Sequence, residues 1–163
     1  MTEQKLDSMR HTLSHVLAAA VKSLYGEVKF GIGPTIDNGF YYDIDFGDTK
    51  ISETNLAKIE KKMRGIISQG CKMQKRVVSR EEALKWAAEA GQTYKTELIN
   101  ELPENEEISF YDIITPQGQV LFTDLCRGPH LYSLKEIGVF KLTSVAGAYW
   151  RGDGCALRRC RGR

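Results

Sequence analysis

Asp37-Asn-Gly-Phe-Tyr-Tyr-Asp-Ile-Asp-Phe46 decides the fold class. Asn-Gly between apolar runs is the strongest short signal for a hairpin turn. Behind it, Phe40, Tyr42, Ile44 and Phe46 alternate with Tyr41, Asp43 and Asp45. A period of two predicts a strand with one face on a core and one face polar. Upstream, Val28–Ile32 reads as its partner strand, broken at Gly33–Pro34. Strands joined by a tight turn must pair antiparallel.

The pattern changes period on both sides. Upstream, Met9, Leu13, Val16, Leu17, Ala20, Val21 and Leu24 recur at helical spacing over Met9–Tyr25, with Gly26 as the stop. Downstream, Ser52 is a candidate N-cap for a second helix whose stripe is Leu56, Ile59, Met63, Ile66 and Ile67, closed by Gly70. Lys72–Val78 reads as a strand. Ser79 and Glu82 have the spacing of a capping box for a third helix that runs to about Gly91. Tyr94–Leu102 reads as a short helix ended near Pro103. Phe110–Ile114 and Val120–Thr123 flank Thr115-Pro-Gln-Gly-Gln119 as a second hairpin. The predicted class is α+β, with helices packed on a mainly antiparallel sheet in two layers.

The 163 residues are 42% hydrophobic and 27% charged, which excludes a disordered, collagenous or coiled-coil chain. No apolar run approaches the roughly 18 residues of a membrane span. The polar start, MTEQKLDSMRH, lacks the apolar core of a secretory signal, so a cytoplasmic location and no membrane partner are expected. The four cysteines form no C-x-x-C pair and do not suggest a disulfide scaffold. Net charge is only +2, and five of the 23 Lys and Arg residues lie in the last thirteen positions. Any nucleic-acid partner must therefore be held by local patches.

All three histidines fall in pairs spaced by four: His11-x-x-x-His15 and Cys126-x-x-x-His130. At about 100° per residue, His11 and His15 lie together beside Ala18, Ala19 and Lys22, away from the apolar stripe. Two exposed histidines on a solvated face is the plain reading of such a pair, and the matching Cys-x-x-x-His weakens it. One chemistry is metal binding, since imidazoles at i and i+4 can share a zinc ion. Thr12 stands where a zinc protease carries its glutamate, and the set is poor in sulfur for a structural site. The other chemistry is a metal-free hydrolytic pocket, in which imidazoles deprotonate water and Asp124 supplies charge. The residue types leave both open. Gly31-Ile-Gly33-Pro34 and Arg127-Gly128-Pro129 match no phosphate-binding pattern and read as turns, the second setting the separation of Cys126 and His130. Cys71 reads as a packing residue at the start of a strand.

Four motifs carry a resemblance. They are His11-Thr-Leu-Ser-His15, Gly33-Pro-Thr-Ile-Asp-Asn-Gly-Phe-Tyr-Tyr-Asp43, Asp124-Leu-Cys-Arg-Gly-Pro-His130 and Ala146-Gly-Ala-Tyr-Trp-Arg-Gly-Asp153. In this order they resemble the editing domain of bacterial-type threonyl-tRNA synthetase, the second additional domain it shares with alanyl-tRNA synthetase. Freestanding alanyl-tRNA deacylases share only the H-x-x-x-H and C-x-x-x-H elements. The resemblance implies an editing hydrolase that removes serine mischarged onto threonine tRNA. Its catalytic residues would be His11, Lys95 and Asp124. His15, Tyr42, Cys126 and His130 would bind substrate. No metal is expected to be required; in the zinc-dependent, alanyl-type alternative the ligands would be His11, His15, Cys126 and His130. The implied partners are tRNA and, in a longer chain, a synthetase catalytic domain.

Residues 1–153 are expected to form the editing domain. Segment 154–163, Gly-Cys-Ala-Leu-Arg-Arg-Cys-Arg-Gly-Arg, is expected to be a divergent, Arg-rich tail that cannot order itself and is dispensable. No ATP-binding region is found in these 163 residues, so aminoacylation by this chain alone is not expected. A non-catalytic synthetase fragment is the remaining alternative.

Overall fold

The structure, a computed structural model, describes residues 1–151 and 156–163. Four helices pack with two antiparallel sheets, as the α+β reading expects. Helix α1 (Glu3–Tyr25) leads into β1 (Lys29–Phe30), β2 (Thr35–Ile36) and β3 (Gly39–Asp45). Helix α2 (Leu56–Ser68) follows, then β4 (Lys72–Val78), α3 (Arg80–Glu89) and α4 (Thr93–Glu101). The chain closes with β5 (Ile108–Ile114), β6 (Val120–Leu125), β7 (Leu142–Tyr149) and β8 (Ala156–Gly162). One sheet has the order β1-β3-β8-β7, with β2 also on β3; the other is β4-β5-β6.

The local signals act where they were read. Ser79 Oγ accepts from the Glu82 N–H, and Glu82 accepts from the Ser79 N–H, so the capping box starts α3. Ser52 and Asn55 make a similar box over a short 3-10 turn before α2. The first hairpin differs in detail. Thr35 pairs with Phe40 and Ile36 with Gly39, so Asp37–Asn38 form the loop and Gly39 opens the strand. Gly39 serves close approach instead of turn geometry: a Cβ there would lie 2.1 Å from the Gly162 carbonyl oxygen.

Two expectations are corrected. The first concerns the histidine face of α1. Every residue from Thr12 to Val21 is buried, including His15, Ala18 and Ala19. The helix packs on α2 and β3 and also touches β2 and β6, so its histidine face meets protein instead of solvent. Small side chains in the middle of the helix let neighbours approach from several directions.

The second concerns the tail. Segment 156–162 is β8, and it runs between β3 and β7, paired with both. Leu157 and Cys160 are fully buried, and Arg159 makes a two-bond ion pair with buried Asp43, at 2.8 and 2.9 Å. Buried Leu157, Cys160 and Gly162 are interspersed with arginines, which hides the strand from a composition count. Cys155 and the 153/154 boundary lie outside the described residues.

The main core runs through both sheets. It joins α1 and α2 to Phe40, Tyr42 and Ile44 of β3, and to Met73, Ile113 and Phe122 of the three-stranded sheet. A second cluster sits under α3 and α4, around Ala83, Ala87, Ile99, Ile108 and Phe110. Arg80 donates to the carbonyls of Ile99, Leu102 (2.8 Å) and Pro103 (2.9 Å), capping the end of α4. The Gln92 side chain donates to Val28 O at 3.0 Å and accepts from the Phe30 N–H at 2.9 Å. That bond pair ties the start of α4 to β1, and with it Lys95.

Candidate active site

Four elements converge on a cleft of about 310 Å³. Helix α1 supplies His11 and His15, β3 supplies Tyr42, and α4 supplies Lys95 and Leu98. The end of β6 supplies Asp124, Leu125 and Cys126, and the segment before β2 supplies Ile32, Gly33 and Pro34. The Ser14 hydroxyl lies 2.7 Å from His11 O and 2.8 Å from Gly33 O, fastening this lip to the helix. Gly33 lies flat on the Tyr42 ring, and a Cβ there would come within 2.3 Å of it. His130 stands behind the cleft wall, stacked on His11 with ring centroids 4.1 Å apart.

One half of the site is a buried charged network. Lys95 and Asp124 form an ion pair at 3.0 Å, and Lys95 Nζ also donates to Tyr42 Oη at 2.8 Å. Tyr42 Oη donates to Asp124 Oδ2 at 2.5 Å. All three residues are buried. Burial and then the Asp124 charge push the Tyr42 phenol well above its ordinary range, so it stays protonated and donates.

The other half is a soft cluster. Cys126 Sγ lies 3.3 Å from His11 Nε2 and 3.2 Å from His130 Nε2, and it accepts from the Gly128 N–H at 3.3 Å. His11 Nδ1 faces Pro129 O at 3.1 Å. His130 Nδ1 faces Thr12 Oγ1 at 3.2 Å. His15 lies 3.9 Å from Asp124 Oδ2 through Nε2, while its Nδ1 is buried without a partner among the described residues. Burial pushes all three imidazoles below their ordinary value, and for His15 and His130 their neighbours' charges add to the shift. Burial pushes the Cys126 thiol up to about 12, so at neutral pH it is a thiol and a poor nucleophile. The arrangement suits general-base chemistry on a water or hydroxyl better than covalent catalysis.

The donor atoms of His11, His15, Cys126 and His130 all lie within 4.8 Å of one another, and the four could hold a metal ion such as zinc. The donor set fits that role. His11 and His130 turn Nε2 inward while Nδ1 is held by an outer oxygen, as metal-binding imidazoles commonly are.

Every residue singled out in the sequence is therefore in or against one site: His11, His15, Tyr42, Lys95, Asp124 and Cys126 line the cleft, and His130 backs it. Ile32, Gly33, Pro34, Leu98 and Leu125 also line it and were not singled out as site residues. Leu98 had a usable signal, because i+3 from Lys95 on a helix shares its face. Ile32 and Leu125 carry no such signal, since apolar residues at strand ends usually mean packing.

Comparison with known proteins bears on the family of the chain. Residues 108–161 match the family described as the threonyl and alanyl tRNA synthetase second additional domain, so the match runs through most of the supposedly divergent tail. Over 144 residues, 88% of this chain, it is 54% identical to a threonine–tRNA ligase of Clostridioides difficile. It is 49% identical over 152 residues to the Staphylococcus carnosus ligase and 47% identical over 153 residues to that of Aquifex aeolicus, 93% of this chain in both cases. These matches cover 21%, 22% and 23% of the three ligases, so the chain spans about a fifth of the length of its relatives.

Proposed function

We infer that this chain, which carries the second additional domain of threonyl and alanyl tRNA synthetases, is an editing hydrolase that deacylates seryl-tRNA(Thr) in the cytoplasm. The observation that carries this reading is the convergence of three imidazoles, a thiol and the Lys95–Asp124–Tyr42 network on one small cleft. Serine and threonine differ by one methyl, worth only about 1–3 kcal/mol in binding. A synthetic site alone cannot separate them well, and a second site too small for threonine supplies the missing discrimination.

The reaction is hydrolysis of an ester between an aminoacyl carbonyl and a terminal ribose. In this reading His11 Nε2 takes a proton from the attacking water or from a ribose hydroxyl. Lys95 uses two N–H groups on Tyr42 and Asp124, leaving a third for the oxyanion that develops on the carbonyl. Asp124 retains lone pairs for the substrate ammonium. His15, Tyr42, Cys126 and His130 bind and shape the substrate. No metal is required for these steps. The partners are mischarged tRNA and, in the longer ligase context, a synthetase catalytic domain.

The experiment is hydrolysis of radiolabelled seryl-tRNA(Thr) by the purified chain with chelator present, against threonyl-tRNA(Thr) as control. Rapid loss of serine with threonine retained is expected. Release no faster than the uncatalysed ester overturns the reading in favour of a non-catalytic synthetase fragment. A second reading, a zinc-dependent alanyl-type deacylase, is favoured by the compact four-ligand set. There His11, His15, Cys126 and His130 would hold the ion, which would supply Lewis acidity and an acidified water. Activity abolished by chelation, restored by zinc and directed at alanyl-tRNA would select it.

A further inference from the structure

Thr12 sits inside the H-x-x-x-H motif, fully buried, between the two histidine pairs. Its hydroxyl has one proton, and that proton goes to Ser8 O at 2.8 Å. Toward its other neighbours the oxygen can only accept. It accepts from the Leu131 N–H at 3.0 Å and faces His130 Nδ1 at 3.2 Å. The shorter contact, to a carbonyl that can only accept, claims the hydroxyl proton and leaves His130 Nδ1 as the donor. In the neutral ring Nε2 is then a bare lone pair facing Cys126 Sγ at 3.2 Å. His11 is held in the same sense, because Pro129 O can only accept from its Nδ1. Two bare Nε2 atoms thus face one thiol, which has one proton to share between them.

We propose that Thr12 is a positioning residue that sets the direction of this chain of hydrogen bonds: Cys126 S–H to His130 Nε2, His130 Nδ1–H to Thr12 Oγ1, and Thr12 O–H to Ser8 O. With the thiol proton directed to His130, the lone pair of His11 Nε2 stays open. His11 is the imidazole of the two that lines the cleft, so the open lone pair is the one a water or ribose hydroxyl can reach. Without the Thr12 oxygen, His130 gains nothing from protonation at Nδ1. Its other tautomer, with the proton on Nε2, would donate to Sγ and turn the thiol proton onto His11. No proton is gained or lost in that exchange; the site only changes direction. The catalytic consequence rests on the deacylase reading above, whereas the tautomer does not.

The test uses Thr12→Val, which keeps the shape and removes the oxygen, and Thr12→Ser, which keeps the oxygen. Long-range 15N–1H NMR on the metal-free protein reports which nitrogen of His130 is protonated. The wild type and Thr12→Ser are expected to show Nδ1–H, and Thr12→Val to shift toward Nε2–H. In seryl-tRNA hydrolysis with chelator present, Thr12→Val is expected to lower kcat about tenfold, a part of what a general base contributes, with KM within about twofold and Thr12→Ser near wild type. A folded Thr12→Val with His130 still protonated at Nδ1 overturns the proposal, as does a wild type protonated at Nε2. If Thr12→Val does not fold, the wild-type and Thr12→Ser spectra still decide the tautomer. A wild type that shows Nδ1–H but hydrolyses no seryl-tRNA refutes the deacylase reading and leaves the positioning role standing.

Discussion

On the deacylase reading the chemistry turns on His11, because it alone of the paired histidines lines the cleft with its Nε2 contact on Cys126 and its Nδ1 held by a backbone oxygen. His15 lines the cleft too, but it is buried and its Nδ1 has no partner among the described residues. Replacing His11 by Ala should lower seryl-tRNA hydrolysis by roughly 100-fold, the lower range for a lost general base. If its ring also forms the wall that refuses the threonine methyl, the serine-to-threonine rate ratio narrows as well. Unchanged serine hydrolysis removes His11 from the mechanism; lost activity with an unchanged ratio moves the methyl filter to other lining residues such as Leu98 or Ile32. The pH profile follows from the same burial. A base must be neutral to act, and burial lowers the His11 value below 6.5, so protonation sets in only at lower pH. The rate should hold as pH falls through 6.5 and decline below it. An acid limb with its midpoint at or above 6.5 would contradict this. These residues were legible because His, Cys and Asp at fixed spacings have few structural uses. Leu125 and Ile32 were not, because an apolar residue looks the same in a core and in a cleft wall.

At the scale of elements, β8 changes the account most. It is paired on both sides, and it carries Arg159 to a carboxylate on β3 that is otherwise buried. Arg159→Ala leaves Asp43 without its charged partner and should cost about 2 kcal/mol, the scale of a hydrogen bond to a charged group, read as a lower midpoint in urea. Removing Ala156–Arg163 should do far more, since β3 and β7 lose their shared neighbour; a truncated chain with an unchanged melting temperature would show that the strand adds nothing. Helix α1 teaches the complementary lesson. Its apolar stripe was legible, and its opposite face, lined by His, Ala and Lys, read as off the core. In the fold that face carries the site and lies against other elements. The capping box at Ser79, by contrast, needed only neighbours within three residues and was readable as written, while Ser52 was read as a cap without its box.

For the whole molecule, the continuous core through α1 and both sheets makes one cooperative unit of the chain. Unfolding should be a single transition, with tryptophan fluorescence from Trp86 and Trp150 coincident with far-ultraviolet circular dichroism; two separated transitions would mean that the sheets fold apart. No helix among the described residues is long and apolar enough to cross a membrane. By itself the sequence determined the helices, the hairpin strands and the α+β class, and it singled out the His, Cys and Asp side chains that line or back the cleft. Each of those rests on local periodicity, a cap or a motif spacing, which short-range physics sets. Only the tertiary structure decided that β8 belongs between β3 and β7, that the histidine face of α1 is buried, and that Lys95 reaches Asp124 across the fold. Those outcomes depend on pairings between segments distant along the chain. An arginine-rich strand, or a lysine on a short helix, holds no local record of the partner that neutralises it.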